Sequence, residues 1–294
     1  MRLRGLLPAG FAIGLVLLIG LYPGSVSSSG SAEAERYPLL LPSPKPMEFP
    51  FAEGELLEFE VFWKPVFLFP SFRAGRVRLK IEPGEYQGRP TFHIQAWAES
   101  EGTLSRVAGI EIRDYFESHV DRHDFRSYWN RQKLHEGSRR RELEITFDYE
   151  SDGWTVREID LAVDPSRVLR DVRKSEIPSP AVDVLSAFYL PRLFALSPGD
   201  TFSFDLNQNG TFRRIRVRIE KEEKVSIPLG SFSSIRMATV GGVFGIGGDL
   251  TIWYRSEPPG FPVRFETEVK FGRVYGDLVR YESPKVTRTI LRVP

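Results

Sequence analysis

Residues 226–265 carry four short runs of β-branched and aromatic residues separated by glycine and proline, the densest turn-and-strand grammar in the chain. Ser226-Ile-Pro-Leu-Gly-Ser-Phe-Ser-Ser-Ile-Arg-Met237 reads as strand, tight turn and strand. After a glycine-rich apolar loop, Ile252-Trp-Tyr-Arg-Ser-Glu-Pro-Pro-Gly-Phe-Pro-Val-Arg-Phe265 reads as strand, proline turn and strand. Such punctuation commits the chain to mostly β structure.

The same grammar extends to both sides. Leu57, Phe59, Val61 and Trp63 alternate with Glu58, Glu60 and Phe62, a period of two that turns one face inward. Val77, Leu79 and Ile81 alternate with Arg76, Arg78 and Lys80 in a strand that ends at Pro83-Gly84, and the acidic and basic outer faces suit cross-strand pairing. Further strands are predicted over residues 92–98, 113–120, 125–134, 142–149, 154–159, 202–206, 214–219 and 263–281. Residues 181–196 break the pattern. Val182, Leu185, Ala187, Phe188, Tyr189 and Leu193 have helical spacing, Asp183 lies in the first turn and Pro191 kinks or ends the helix.

Residues 1–34 read as a signal peptide. Arg2 and Arg4 open it, an apolar stretch runs from Leu6 to Tyr22, and Ser25-Val-Ser27 and Ala32-Glu-Ala34 both offer a small-x-small cleavage pattern. An uncleaved membrane anchor is the alternative, since an apolar run of about 17 residues lies at the lower limit for spanning a bilayer. Residues 35–53 form a proline-rich linker, residues 54–283 the β-rich domain, and residues 284–294 a tail or edge strand. The 294 residues contain no cysteine. That removes disulfides, thiolate metal sites, a cysteine nucleophile and the acylated cysteine of a lipoprotein. A periplasmic or secreted protein is expected. Forty basic residues against 39 acidic ones leave a net charge of +1, which offers no global attraction for nucleic acid.

Several motifs in this order resemble one family. Gly54-Glu-Leu-Leu-Glu-Phe-Glu-Val-Phe-Trp63 with Ala74-Gly75, Asp183-Val-Leu-Ser-Ala-Phe-Tyr-Leu-Pro-Arg192, Leu229-Gly-Ser-Phe232, and Ile252-Trp-Tyr-Arg-Ser256 with Phe261-Pro-Val-Arg264 are similar to the exported bacterial domain-of-unknown-function 3108 family. Residues 66–72 and Glu257-Pro-Pro-Gly260 depart from that pattern. The resemblance implies an envelope-located, β-rich fold and brings no catalytic residues.

Recognisable catalytic or metal-binding constellations are lacking. His119 and His123 are four apart, a metal-binding spacing on a helix, but on a strand they span about 13 Å, too far for one metal. Ser105, Ser118 and Ser186 are candidate nucleophiles without a Gly-x-Ser-x-Gly elbow. The Arg139–Arg141 run and the alternating arginines at 213–218 could hold anionic groups or form solvated strand faces balanced by glutamates. The least ordinary features are apolar. Trp63-Lys-Pro-Val-Phe-Leu-Phe-Pro-Ser-Phe72 sets four aromatics around two prolines, and Val240-Gly-Gly-Val-Phe-Gly-Ile-Gly-Gly248 is a glycine-rich loop. Two such segments could line a greasy cleft or plug an ordinary core.

The expected architecture is mainly β, a single strongly curled antiparallel sheet or incomplete barrel with one helix packed on its opening or edge. The expected role is non-enzymatic, the binding of a lipid, glycolipid or other amphipathic envelope ligand by Trp63, Phe67, Phe69, Phe72, Phe188, Phe244 and Trp253, with no cofactor and no metal. A protein-interaction module of the envelope and a hydrolase with a dispersed triad are the alternatives.

Overall fold

Alternating burial is what folds this chain into ladders. The structure, a computed structural model, describes residues 49–66, 70–101, 111–178, 181–240, 249–269, 272–284 and 291–292. Eight strands come first: β1 (Leu56–Pro65), β2 (Phe72–Tyr86), β3 (Arg89–Ser100), β4 (Arg113–Asp121), β5 (Ser127–Glu136), β6 (Arg139–Asp148), β7 (Gly153–Asp160) and β8 (Arg167–Ser175). A two-residue β9 (Val182–Asp183) leads into helix α1 (Val184–Tyr189) and a 3-10 turn (Leu190–Leu193). Then follow β10 (Thr201–Gln208), β11 (Thr211–Ile227), β12 (Gly230–Val240), β13 (Leu250–Arg255), β14 (Pro262–Val269), β15 (Gly272–Glu282) and β16 (Leu291–Arg292).

All pairings but two are antiparallel between neighbours in sequence: β9 and β10 run parallel, and β1 pairs with β15, which joins β1–β8 and β10–β15 as two meanders. The single sheet runs from β8 to β9 without ladder closure, and β16 adds to β15. The acidic and basic faces of β1 and β2 meet as their patterns require, with Glu58 opposite Arg78 and Glu60 opposite Arg76, and with Arg76 paired diagonally to Glu58 at 2.9 Å. β2 continues past Pro83-Gly84, where its sequence signals a stop. Its pairing with β1 ends at Lys80, and Ile81 donates to Glu55 on that side, so the donor Pro83 lacks belongs to an edge without a partner strand among the described residues.

The sheet curls until its two ends touch. Trp154 and Phe147 pack on Phe212, and Val156 fills the space beside Gly210, where an added Cβ would lie 2.5 Å from the valine and where φ is +77°. Arg170 and Lys174 donate to the carbonyls of Asn209 and Gly210 at 2.8 and 3.1 Å. Side chains therefore finish the barrel-like turn that backbone pairing leaves open.

The helix lies inside this curl. Phe188 contacts Phe59 on β1 and Tyr254 on β13, and Tyr189 meets Phe51. It is much shorter than residues 181–196. Asp183 is its N-cap rather than a first-turn residue, accepting from the backbone of Leu185 and Ser186 in a capping box. Pro191 tightens the chain into the 3-10 turn, and the backbone is extended again by Phe194. Phe49 and Phe51, ahead of residue 54, are buried in the same core, at 7% and 1% exposure. Residues 1–34, read from the sequence as a signal peptide, lie outside the described residues, and among those described no helix is long and apolar enough to cross a membrane.

Candidate functional site

With a helix inside the sheet, the interior is largely occupied by the protein's own side chains. A cavity of about 50 Å³, partly open to solvent, lies between α1 and strands β10–β13. Val184, Ala187 and Phe188 face it from the helix, and Leu206, Val217 and Leu250 from the sheet. Its two polar side chains are already engaged. Tyr254 donates its hydroxyl to the Phe188 carbonyl at 2.9 Å, and Thr239 accepts from the Leu250 backbone at 2.9 Å. Such a wall offers a guest contact area and no polar handle. Residues 241–248, the glycine-rich stretch, lie outside the described residues.

Of the seven residues read from the sequence as a binding set, Trp63, Phe72, Phe188 and Trp253 are described, and these four are not gathered in one place. Among them Phe188 alone lines the cavity. Trp63 and Phe72 stack on each other at 6.1 Å, half-buried where β1 and β2 part. Trp253 faces the opposite side of β13 from Ile252 and Tyr254, beneath Arg236, and donates its indole N–H to Glu223 at 2.9 Å. Phe67, Phe69 and Phe244 lie outside the described residues.

The helix is held by two buried polar knots. At its start, one Asp183 carboxylate oxygen accepts from the hydroxyls of Ser118 and Ser127, and Ser186 donates back to the Asp183 carbonyl at 3.1 Å. Beyond its end, Arg192 makes a double contact with Glu55, at 2.6 and 2.9 Å, with both side chains fully buried. Arg192 also donates to the Pro259 carbonyl and lies over Phe51 and Tyr189. Nothing in the spacing of the sequence points to this pair, whose members are 137 residues apart.

The candidate nucleophiles are placed by these contacts. Ser118 and Ser186 belong to the Asp183 knot, where they hydrogen-bond to Asp183 and Ser127 rather than to a histidine; Ser105 lies outside the described residues. His119 is adjacent to Ser118 on a strand and so faces outward. It stacks on His93 across β3 and β4 at 4.6 Å and shares a hydrogen bond with Thr91 at 2.8 Å. Burial, and then the neighbouring His93, pushes the His119 imidazole down to about 4. Among the described residues no group of three or more side chains is arranged to hold a metal ion. Four of the seven arginines in these runs meet carboxylates: Arg139 pairs with Glu136, Arg141 with Glu158, Arg214 with Asp205 and Arg218 with Glu220.

On the inner face of β4, Asp114 is 2% exposed and accepts from the His135 backbone at 2.9 Å. Its other carboxylate oxygen has no partner among the described residues, and burial pushes the carboxyl up to about 8.

The family model described as protein of unknown function DUF3108 matches residues 58–279. No curated protein matches the chain. Among solved structures, a β-barrel-like protein of the domain of unknown function DUF1849 from Brucella abortus is similar at a TM-score of 0.51 and 8% identity, covering 79% of this chain and 98% of that one. At that identity the likeness shows the fold alone. A candidate exported protein with a YmcC-like fold from Bacteroides fragilis aligns over 80% of this chain and 98% of its own at 16% identity, with a TM-score of 0.30.

Proposed function

The chain belongs to the DUF3108 family of unknown function, and from that premise we propose that it is a non-enzymatic protein of the cell envelope that takes the apolar end of an amphipathic ligand into the cavity beside α1. One observation carries this reading: the cavity is open on one side, apolar in its lining, and has both polar side chains already hydrogen-bonded. The N-terminal pattern of Arg2, Arg4 and the apolar run to Tyr22 supports export, which would put the protein among lipids and glycolipids.

Magnitudes limit the ligand. A dry cavity of about 150 Å³ admits a benzene ring, so this one admits about two carbons of a chain. At about 0.8 kcal/mol per methylene that contributes about 1.6 kcal/mol, well short of the ~4 kcal/mol of a millimolar complex. The ligand must therefore bury further methylenes beyond the rim and keep its polar end in water.

The test is to isolate the protein from its native compartment and analyse organic extracts by mass spectrometry, beside the cavity-filling variant Ala187→Leu. An amphiphile that co-purifies with the natural protein, is depleted in the variant, and raises the melting temperature when added back is the expected result. Repeated absence of any amphiphile, together with no thermal shift from added dodecanoate, would overturn it.

A further inference from the structure

Strand β8 has one ladder neighbour, β7, and its other edge is open among the described residues. The pattern of backbone bonds shows which groups that edge presents. Leu161 donates to the Arg140 carbonyl across β6 and β7, and Glu176 donates to the Asp152 carbonyl beyond the end of β8. Bonding alternates along an antiparallel ladder, so Arg170, Val172 and Lys174 pair with β7, and the N–H and C=O groups of Asp171 and Arg173 point to the open side.

Two further properties coincide there. Seven large apolar side chains stand exposed among the described residues, and five of them, Leu161, Val163, Val168, Leu169 and Val172, belong to the β7–β8 hairpin. The nine residues of β8 also carry Arg167, Arg170, Arg173 and Lys174 against the single acid Asp171. Arg170 and Lys174 turn toward the Asn209 and Gly210 carbonyls, and Arg167 and Arg173, at 3.6 Å from Asp160 and Asp148, stay exposed beside the open edge. Charges and a bulge beside Glu158 are devices that keep an edge from pairing indiscriminately. A strand of opposite sign meets no such barrier.

We propose that the open edge of β8 is a docking strand for an extended acidic segment of another protein, which would add to the sheet by backbone pairing and cover Val168, Leu169 and Val172. The inference goes beyond the cavity reading and does not rest on it. Charge decides among occupants. A second copy would set four basic side chains against four, and like charges across a ladder are destabilising. Residues 285–294 of the chain itself carry Lys285, Arg288 and Arg292 without an acid, and the proline-dense residues 35–48 balance two acids with two bases. A membrane would satisfy the basic side chains but leave the Asp171 and Arg173 backbone groups unpaired in hydrocarbon.

The experiment titrates the isotope-labelled full chain with a short synthetic peptide of alternating Glu and Val, followed by amide NMR and hydrogen exchange. Saturable shifts and slowed exchange at the Asp171 and Arg173 amides are expected, with about tenfold weaker binding of the corresponding Lys-Val peptide. Asp171→Pro removes an edge donor while making β8 more basic, so weaker binding in that variant isolates backbone pairing from charge. The doubly reversed Arg167→Glu, Arg173→Glu protein keeps the backbone intact and is expected to prefer the Lys-Val peptide. The proposal is overturned by unchanged amides at 171 and 173, by equal binding of both peptides, by the same shifts arising from self-association without peptide, or by shifts with anionic vesicles only.

Discussion

At the β9 end of the sheet, Asp183 and Arg192 are sealed in the interior with carboxylate, hydroxyl and backbone partners, whereas at the β8 end nearly every side chain stands in solvent and half the backbone groups face outward. Both regions are rich in charge. What differs is burial, and burial decides how much each charge matters. In the low dielectric of the core an ion must be matched or it is strongly destabilising, while at the exposed edge the same residues are hydrated and contribute little to folding. The sealed end thus holds the helix that shapes the cavity, and the open end is free to change partners.

The sharpest way to break this contrast is to remove one member of the buried pair. Glu55→Gln leaves the Arg192 guanidinium without its countercharge and is expected to lower unfolding free energy by about 3–5 kcal/mol. Arg173→Ala at the exposed edge is expected to change it by less than ~0.5 kcal/mol. Urea midpoints at constant slope measure both. Equal losses would show that burial does not separate the two regions.

A pH series sharpens it further. Asp114 has its folded value raised from 3.8 to about 8, so its protonated form favours the fold, and that contribution is lost as pH rises toward 8. His119 is depressed from 6.5 to about 4, so its effect has the opposite sign and is complete by pH 6.5. The two oppose each other in mild acid, and between pH 6.5 and 8 only the Asp114 decline persists. Asp114→Asn is expected to flatten the denaturation midpoint over that interval; an unchanged slope would remove Asp114 as its source.

The smallest effect concerns Tyr189. Its hydroxyl is buried with no hydrogen-bond partner among the described residues, an arrangement that costs stability. Tyr189→Phe keeps the ring against Phe51 and is expected to raise unfolding free energy by about 1 kcal/mol, readable as a higher melting temperature. A loss would mean that the hydroxyl has a use.

Legibility from sequence followed the same divide. Strands with one buried face, such as β1 with Leu57, Phe59 and Val61, announce themselves by alternation. β8 does not: Arg167-Val-Leu-Arg-Asp-Val-Arg-Lys-Ser175 is exposed on both faces, so neither is marked apolar and no period appears. The helix was legible in place but not in length, because spacing cannot show that the Asp183 side chain caps it. Apolar type alone could not separate Phe188, which faces the cavity, from Trp253, which lies on the far side of its strand under Arg236. Register settles that, and register depends on partners remote in sequence.

The central claim, an apolar chain end seated between α1 and β10–β13, is tested most directly by methyl NMR of the full chain during addition of dodecanoate. Saturable shifts are expected at Val184, Leu206, Ile215 and Leu250, with Val168 and Val172 unmoved and all shifts lost in Ala187→Leu. Silent cavity methyls, or changes confined to the β7–β8 hairpin, would contradict it.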